Sequence, residues 1–219
     1  MSLPHETSLF LQQLSTNSIS DSFLIGKGTE RTCFFLPEHP NVVLKISKKS
    51  LDKQTRREIN YFRFLTNKKV PFSHISQFFQ EIKTQEYHGF LQERILNTDG
   101  NPSPTLYEYI KHHQDSKKEI LMMLKEFFRY LYRYNIIPCD LRLDNLLVQT
   151  TQTENKLIAV DGLGSTDAIN IAQYLPCWGH KKIIRKIIFF LTNHPENLSL
   201  FDNPQEINHW VNTEILSSK

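Results

Sequence analysis

The chain of 219 residues is predicted to be one α+β domain: an antiparallel β-sheet lobe over about 18–96, then a reduced, mostly helical lobe over about 97–219. Three observations predict it. Short apolar runs punctuated by Gly, Pro and Asn fill the first part, as strands and tight turns require. Apolar residues at helical spacing fill the second. Between them, residues 97–104 are rich in Asn, Asp, Gly and Pro, which marks a loop and the candidate boundary.

Composition supports a packed core and narrows the function classes. Hydrophobic residues make up 39% of the chain, with 15 Phe and 8 Tyr, and no low-complexity tract or internal repeat interrupts them. Against 26 basic side chains stand 23 acidic ones, a net charge of +3, so no general electrostatic affinity for nucleic acid is expected. Cys33, Cys139 and Cys177 are too widely spaced for a Cys-x-x-Cys metal knot, and their odd number argues against a disulfide framework and suits a reducing, cytoplasmic location. The first residues, Met1 to Glu6, lack the pattern of a secretory signal. Delivery as a secreted effector by a specialised route stays open. The longest apolar run, Ile187 to Leu191, is far short of the ~20 residues that span a bilayer, so no transmembrane segment is expected.

In chain order, residues 7–17, with Leu9, Phe10, Leu11 and Leu14, read as a short helix or extended lead-in. Phe23 to Leu36 reads as a hairpin with Gly26 and Gly28 at its tip. Glycines there let backbone N–H groups approach a phosphate; an ordinary hairpin is the alternative. After a turn at Pro37, His39 and Pro40, Asn41 to Ser47 reads as a strand with Lys45 embedded among aliphatics. A lysine so placed is buried when paired, or else belongs to an edge strand facing water. Residues 54–66 read as a helix with Ile59, Phe62 and Leu65 on one face. Beside that face Glu58 is the candidate partner of Lys45, or one member of a solvated run with Arg56 and Arg57. A strand pair is expected at 75–83 and 87–95 around a turn at Tyr87-His88-Gly89.

Thr105 is a candidate N-cap for the next helix, and 119–134 is the clearest helix, with Ile120, Leu124, Phe127, Phe128 and Leu131 inward and Asn135 ending it. A helix at 181–193 is expected to turn Ile184, Ile187, Ile188 and Leu191 inward and Lys182, Arg185 and Lys186 outward. That basic face is either solvated or suited to an anionic lipid, glycan or protein. A last helix near 204–216 would bury Ile207, Trp210 and Val211.

The chemistry is concentrated between Ile136 and Gly162. Asp140 is followed by Arg142 two positions on and Asn145 five positions on; an apolar run then leads, through Leu157 to Val160, to Asp161. Phosphoryl transfer needs such a set, because the migrating group is strongly anionic and the protein must hold Mg²⁺, orient the attacking hydroxyl and neutralise charge. Asp161 and Asn145 supply oxygen ligands for Mg²⁺. Asp140 accepts the proton of the hydroxyl, and Arg142 sets a cation against the phosphoryl group.

D-L-R-L-D-N-L-L-V followed by V-D-G, about residues 136–164, resembles the catalytic loop and metal-binding aspartate of protein kinases. The resemblance implies that Gly26 and Gly28 cover the ATP phosphates, that Lys45 contacts them while paired with Glu58, and that main-chain groups near Gln92 to Arg94 hold adenine. More of the chain, namely Gly28 to Phe34, Pro37, Pro40, Lys45, Cys139 to Arg142 and Trp178 to Phe190, resembles the bacterial PhoP regulatory network protein YrbL family. This second resemblance implies a small kinase-like fold of two lobes with a link to envelope-stress or two-component regulation.

The expected function is therefore ATP- and Mg²⁺-dependent phosphoryl transfer to a hydroxyl of a protein, glycan or small molecule. The alternative is a nucleotide-binding or inactive pseudokinase acting as a regulatory module. Three departures from the kinase pattern bear on the choice. Pro138-Cys139 stand where His-Arg precedes the aspartate, and Gly162-Leu163 where Phe-Gly follows the metal-binding one. No Ala-Pro-Glu segment occurs, and the 58 residues after Asp161 are few for an activation segment plus a full helical lobe. A glycan or small-molecule acceptor thus contends with a peptide, as in small kinase-like enzymes acting on lipopolysaccharide sugars. Cys139 reads as a packing residue, with a redox sensor as the alternative. His112 and His113 are adjacent on an expected helix and so point apart, and no His-x-x-x-His spacing occurs, so a metal-centred hydrolase finds little support.

Overall fold

The computed structural model describes residues 23–113, 115–164, 171–193 and 200–217; the expected lead-in at 7–17 lies outside them. The described chain divides into two compact units, one holding residues up to Arg56 with Phe78–Arg94, the other holding Arg57–Gln77 with Ile95 onward.

The first unit is a five-stranded antiparallel sheet in the order β1-β2-β3-β5-β4, built from β1 (Leu24–Lys27), β2 (Thr32–Leu36), β3 (His39–Lys48), β4 (Phe78–Lys83) and β5 (Tyr87–Glu93). Its core gathers Phe34, Leu36, Val42, Leu44, Ile46, Ile82 and Leu91. Alternation puts Leu44 and Ile46 on that face and Lys45 on the other. Because β3 is paired on both sides, Lys45 is not an edge-strand residue; it lies opposite Cys33 on β2 and Phe90 on β5.

The turn between β4 and β5 occupies residues 84–86, three residues earlier than the sequence reading placed it. Thr84 N–H donates to the Tyr87 carbonyl (2.9 Å), and Thr84 Oγ1 accepts from Tyr87 N–H (2.9 Å), so Tyr87, His88 and Gly89 belong to the strand. Gly89 answers a close approach: a Cβ there would lie 2.2 Å from the Lys45 carbonyl oxygen. His88 is held between Asp52 Oδ2 (2.7 Å from Nδ1) and Glu81 Oε1 (2.8 Å from Nε2). The hydrogen bond from His88 holds the Asp52 carboxyl below its usual range.

Helix α1 (Lys53–Asn67) crosses the division between the units. In the second unit its residues Ile59, Phe62 and Leu65 are buried as the spacing predicts. Helix α2 (Leu106–His112) begins with a reciprocal cap: Thr105 Oγ1 accepts from Glu108 N–H (3.1 Å), and Glu108 Oε2 accepts from Thr105 N–H (2.8 Å). Helix α3 (Lys117–Arg133) buries the predicted stripe. It ends in a Schellman turn, with Asn135 at φ 52°, Asn135 N–H on the Tyr132 carbonyl and Ile136 N–H on that of Leu131. Strands β6 (Leu146–Thr150) and β7 (Asn155–Ala159) form an antiparallel hairpin.

Beyond the hairpin lie α4 (Ile171–Tyr174), α5 (Pro176–Asn193) and α6 (Pro204–Trp210), the last running into a wider π-type turn, Val211–Leu216. Two expectations are corrected here. In α5 the buried stripe is Gly179, Ile183, Ile187, Phe190 and Leu191, while Ile184 and Ile188 are only half-buried. Near the C-terminus Ile207, Val211 and Ile215 are buried, whereas Trp210 is half-buried against Phe128 and Phe201. Among the described residues no helix is long and apolar enough to cross a membrane.

Candidate functional site

The Schellman turn at Asn135 sends the chain from α3 straight inward, and Ile136 and Ile137 that follow are fully buried. Ile137 N–H donates to the hydroxyl of Tyr61 on α1 (2.9 Å), a phenol whose pKa burial pushes up. That contact anchors the start of the Asp140 loop.

Backbone pairing then laces this loop to the segment after β7. Cys139 N–H and Asp140 N–H both donate to the Gly162 carbonyl (2.8 and 3.1 Å), and Gly164 N–H donates to the Ile137 carbonyl (2.9 Å). Val160 N–H closes onto the Asn145 carbonyl (3.0 Å). Asn145 Nδ2 donates to the Asp140 carbonyl (2.9 Å) and reaches toward Asp140 Oδ2 (3.4 Å), while Gly162 N–H donates to Asp161 Oδ1 (2.7 Å). The structure thus brings Asp140, Asn145 and Asp161 together on one hydrogen-bonded frame.

Gly162 explains one departure from the kinase pattern. Its φ is +76°, and a Cβ would stand 2.1 Å from the Asp140 carbonyl oxygen. Any larger residue after Asp161 would push the two segments apart.

Asp140 and Arg142 are exposed, and Asn145 and Asp161 half-buried. Arg142 is loosely held: its Nη2 lies 3.7 Å from Asp144 Oδ2, with both side chains mostly in solvent. Cys139 faces inward. Burial pushes its thiol up, Glu58, Asp161 and Asp140 add to the effect, and Arg57, 3.9 Å from Sγ, opposes it. The protonated thiol donates to the Leu163 carbonyl (3.5 Å), the behaviour of a packing residue.

Lys186 was missed by the sequence reading, which turned it outward. Its Nζ donates to the Cys139 carbonyl (2.9 Å), one residue before Asp140. The signal was present in the pattern: Lys186 flanks the true stripe of Ile183, Ile187 and Phe190, so it sits at the border of the buried face.

Glu58, on α1, is also in this unit and only 3% exposed, so it is not a solvated charge. The other candidates lie in the sheet unit. Gly26 pairs with Cys33, Cys33 with Lys45 and Lys45 with Phe90, one row across four strands. Lys45 is 5% exposed, with Nζ 5.7 Å from the centre of the Phe90 ring. Gly28 N–H closes the hairpin turn on the Arg31 carbonyl (2.8 Å). Of the main-chain groups assigned to adenine, Arg94 N–H is already bonded to the Asn41 carbonyl (2.8 Å).

As chemistry, the Asp140 frame offers an accessible carboxylate, a carboxamide and a second carboxylate. The carboxamide nitrogen is committed to Asp140, which turns its oxygen the other way. Among the described residues no group of three or more His, Cys, Asp or Glu side chains gathers as a metal cluster. A hard cation taking one or two protein oxygens fits the donor types that Asp140, Asn145 and Asp161 present.

Together these features define an α+β protein whose two aspartate-bearing segments are tied backbone to backbone in its largely helical unit. The chain belongs to the PhoP regulatory network protein YrbL family, which it matches over residues 18–194. It is 26% identical over 162 residues to the uncharacterized protein YrbL of Escherichia coli (strain K12), a match covering 71% of this chain and 77% of that protein. The uncharacterized YrbL of Shigella flexneri matches to the same extent.

Proposed function

We propose that the protein is an ATP- and Mg²⁺-dependent phosphotransferase with a kinase-like fold of two lobes, acting on a hydroxyl acceptor. The observation that carries this reading is the frame holding Asp140, Asn145 and Asp161, in which the Gly162 carbonyl receives the N–H groups of both Cys139 and Asp140. Asp161 and the Asn145 carboxamide oxygen would hold the magnesium ion. When bound, that ion neutralises charge on the phosphate oxygens.

The remaining roles belong to the chain's own groups. Asp140 accepts the proton of the attacking hydroxyl from a solvent-facing position. Its main chain is fixed from both sides, by Asn145 Nδ2 and by Gly162, so the carboxylate starts from a defined place. Arg142, loosely tethered, is free to swing onto an incoming phosphate. Lys186 adds a second cation behind the loop. In the sheet unit, Lys45, Gly26 and Gly28 are assigned to the nucleotide phosphates.

A regulatory module that binds nucleotide without chemistry is the second reading; Pro138-Cys139, standing where kinases carry His-Arg before the aspartate, favours it. Incubation with ATP labelled at the γ-phosphate, with Mg²⁺ and candidate acceptors, separates the two. The expected result is label on acceptor or protein that vanishes in Asp161→Asn and falls by roughly 10²–10⁴-fold in Asp140→Ala. Equal labelling in both variants would contradict the assigned roles. Thermal stabilisation by nucleotide without turnover would favour the binding module.

A further inference from the structure

Helix α5 has an outer face that the Asp140 loop does not use. Trp178, Lys181, Arg185 and Phe189 follow one another at spacings of three, four and four residues, which places them on one side of the helix, opposite the buried Ile183, Ile187 and Phe190. Lys181 and Arg185 are exposed, and Trp178 and Phe189 are 65% and 62% exposed. Tyr174 and Leu175, just before the helix, are exposed as well. From Pro176 to Asn193 there is no Asp or Glu.

Large aromatic side chains left in water are costly, and here one stands at each end of a single stripe with two cations between them. Solvation explains the lysine and arginine but not Trp178 and Phe189. A recessed groove for an acidic peptide would shelter its aromatics; these project. Projecting Trp and Phe flanked by Lys and Arg match the interfacial zone of a bilayer, where amphipathic rings sit at headgroup depth and cations meet lipid phosphates. Charge chooses the lipid, because a face bearing cations and no carboxylate of its own helix is complementary to an anionic surface.

We propose that the protein binds reversibly to the surface of membranes rich in anionic phospholipid, laying the Trp178–Phe189 face of α5 against the headgroups. The binding is peripheral and weakens as salt screens the cations.

The test is sedimentation of the full chain with vesicles of phosphatidylcholine alone and of phosphatidylcholine with phosphatidylglycerol. Only the anionic vesicles should carry the protein down. Binding should fall by about tenfold or more in Lys181→Glu/Arg185→Glu and clearly in Phe189→Ser, with unchanged melting temperatures because all three sites are exposed. The chain has two tryptophans, so Trp210→Phe leaves Trp178 as the sole tryptophan, and its emission, excited selectively over that of tyrosine, should shift to the blue on anionic vesicles alone. No sedimentation, equal sedimentation with neutral vesicles, an unshifted Trp178 spectrum, or full binding in the charge-reversed variant would each overturn the proposal. So would retention on poly-glutamate without vesicle binding, which would assign the face to an acidic polypeptide.

Discussion

The glycines at the β1–β2 hairpin and the glycine after Asp161 share a residue type and nothing else. At Gly26 a Cβ would meet no atom within 4 Å, and at Gly28 the nearest is the Arg31 carbonyl oxygen at 3.5 Å. At Gly162 it would strike the Asp140 carbonyl at 2.1 Å, on a backbone with φ +76°. The fold therefore requires glycine after Asp161 and tolerates a methyl group at the hairpin. If glycine matters at the hairpin, the reason lies in what approaches it from outside.

Substitution can break this contrast. Gly162→Ala is expected to have the largest effect, a loss of roughly 2–4 kcal/mol in urea unfolding together with loss of phosphoryl transfer, because strain and clash fall on the Asp140 frame. A stability within about 0.5 kcal/mol of the wild type would show that the frame yields. Next comes Lys186→Met, which removes a charged donor from the Cys139 carbonyl and should cost about 1.5–3 kcal/mol and lower turnover, with Lys186→Arg recovering part of both. Retention of full stability and turnover in Lys186→Met would place the ammonium outside the loop's support. Gly28→Ala should unfold within about 0.5 kcal/mol of the wild type yet bind ATP several-fold more weakly by calorimetry. Unchanged ATP affinity would remove the hairpin from the nucleotide assignment.

The smallest expected effect is on pH dependence. Burial holds His74 below the ordinary imidazole range while its ring bonds the Leu157 carbonyl (2.9 Å). A depressed folded pKa means that the unfolded chain takes up the proton first. The stability contributed is present above about pH 6.5 and is lost as pH falls below it. The melting temperature should drop on acidification through that window, and His74→Gln should flatten the slope by about 1–2 °C. An unaltered slope would show that His74 does not carry it.

Much of this was legible in the chain, for identifiable reasons. Thr105 ahead of its helix was readable as an N-cap, though its reciprocal partner Glu108 was not singled out, and the α3 stripe has one consistent phase. The phase of α5 was harder because Ile183-Ile184 and Ile187-Ile188 are apolar pairs, so two stripes about 100° apart read equally well. Choosing the wrong one turned Lys186 outward. Gly89 misled in another way: a glycine in sequence signals a turn, but here it admits the neighbouring strand's backbone, a cross-strand demand that no local pattern displays. The spacing of Asp140, Asn145 and Asp161 was visible; the Gly162 carbonyl that ties the two segments was not, because backbone pairing leaves no side-chain signature.

The central claim is that Asn145 and Asp161 hold a divalent ion together with ATP. Manganese can stand in for magnesium, and its paramagnetism broadens nuclear resonances nearby. Adding Mn²⁺ and ATP should broaden the side-chain amide signal of Asn145 in a ¹H–¹⁵N spectrum, and the broadening should disappear in Asp161→Asn. A sharp Asn145 signal at saturating Mn²⁺ and ATP, or broadening that persists in that variant, would contradict the account.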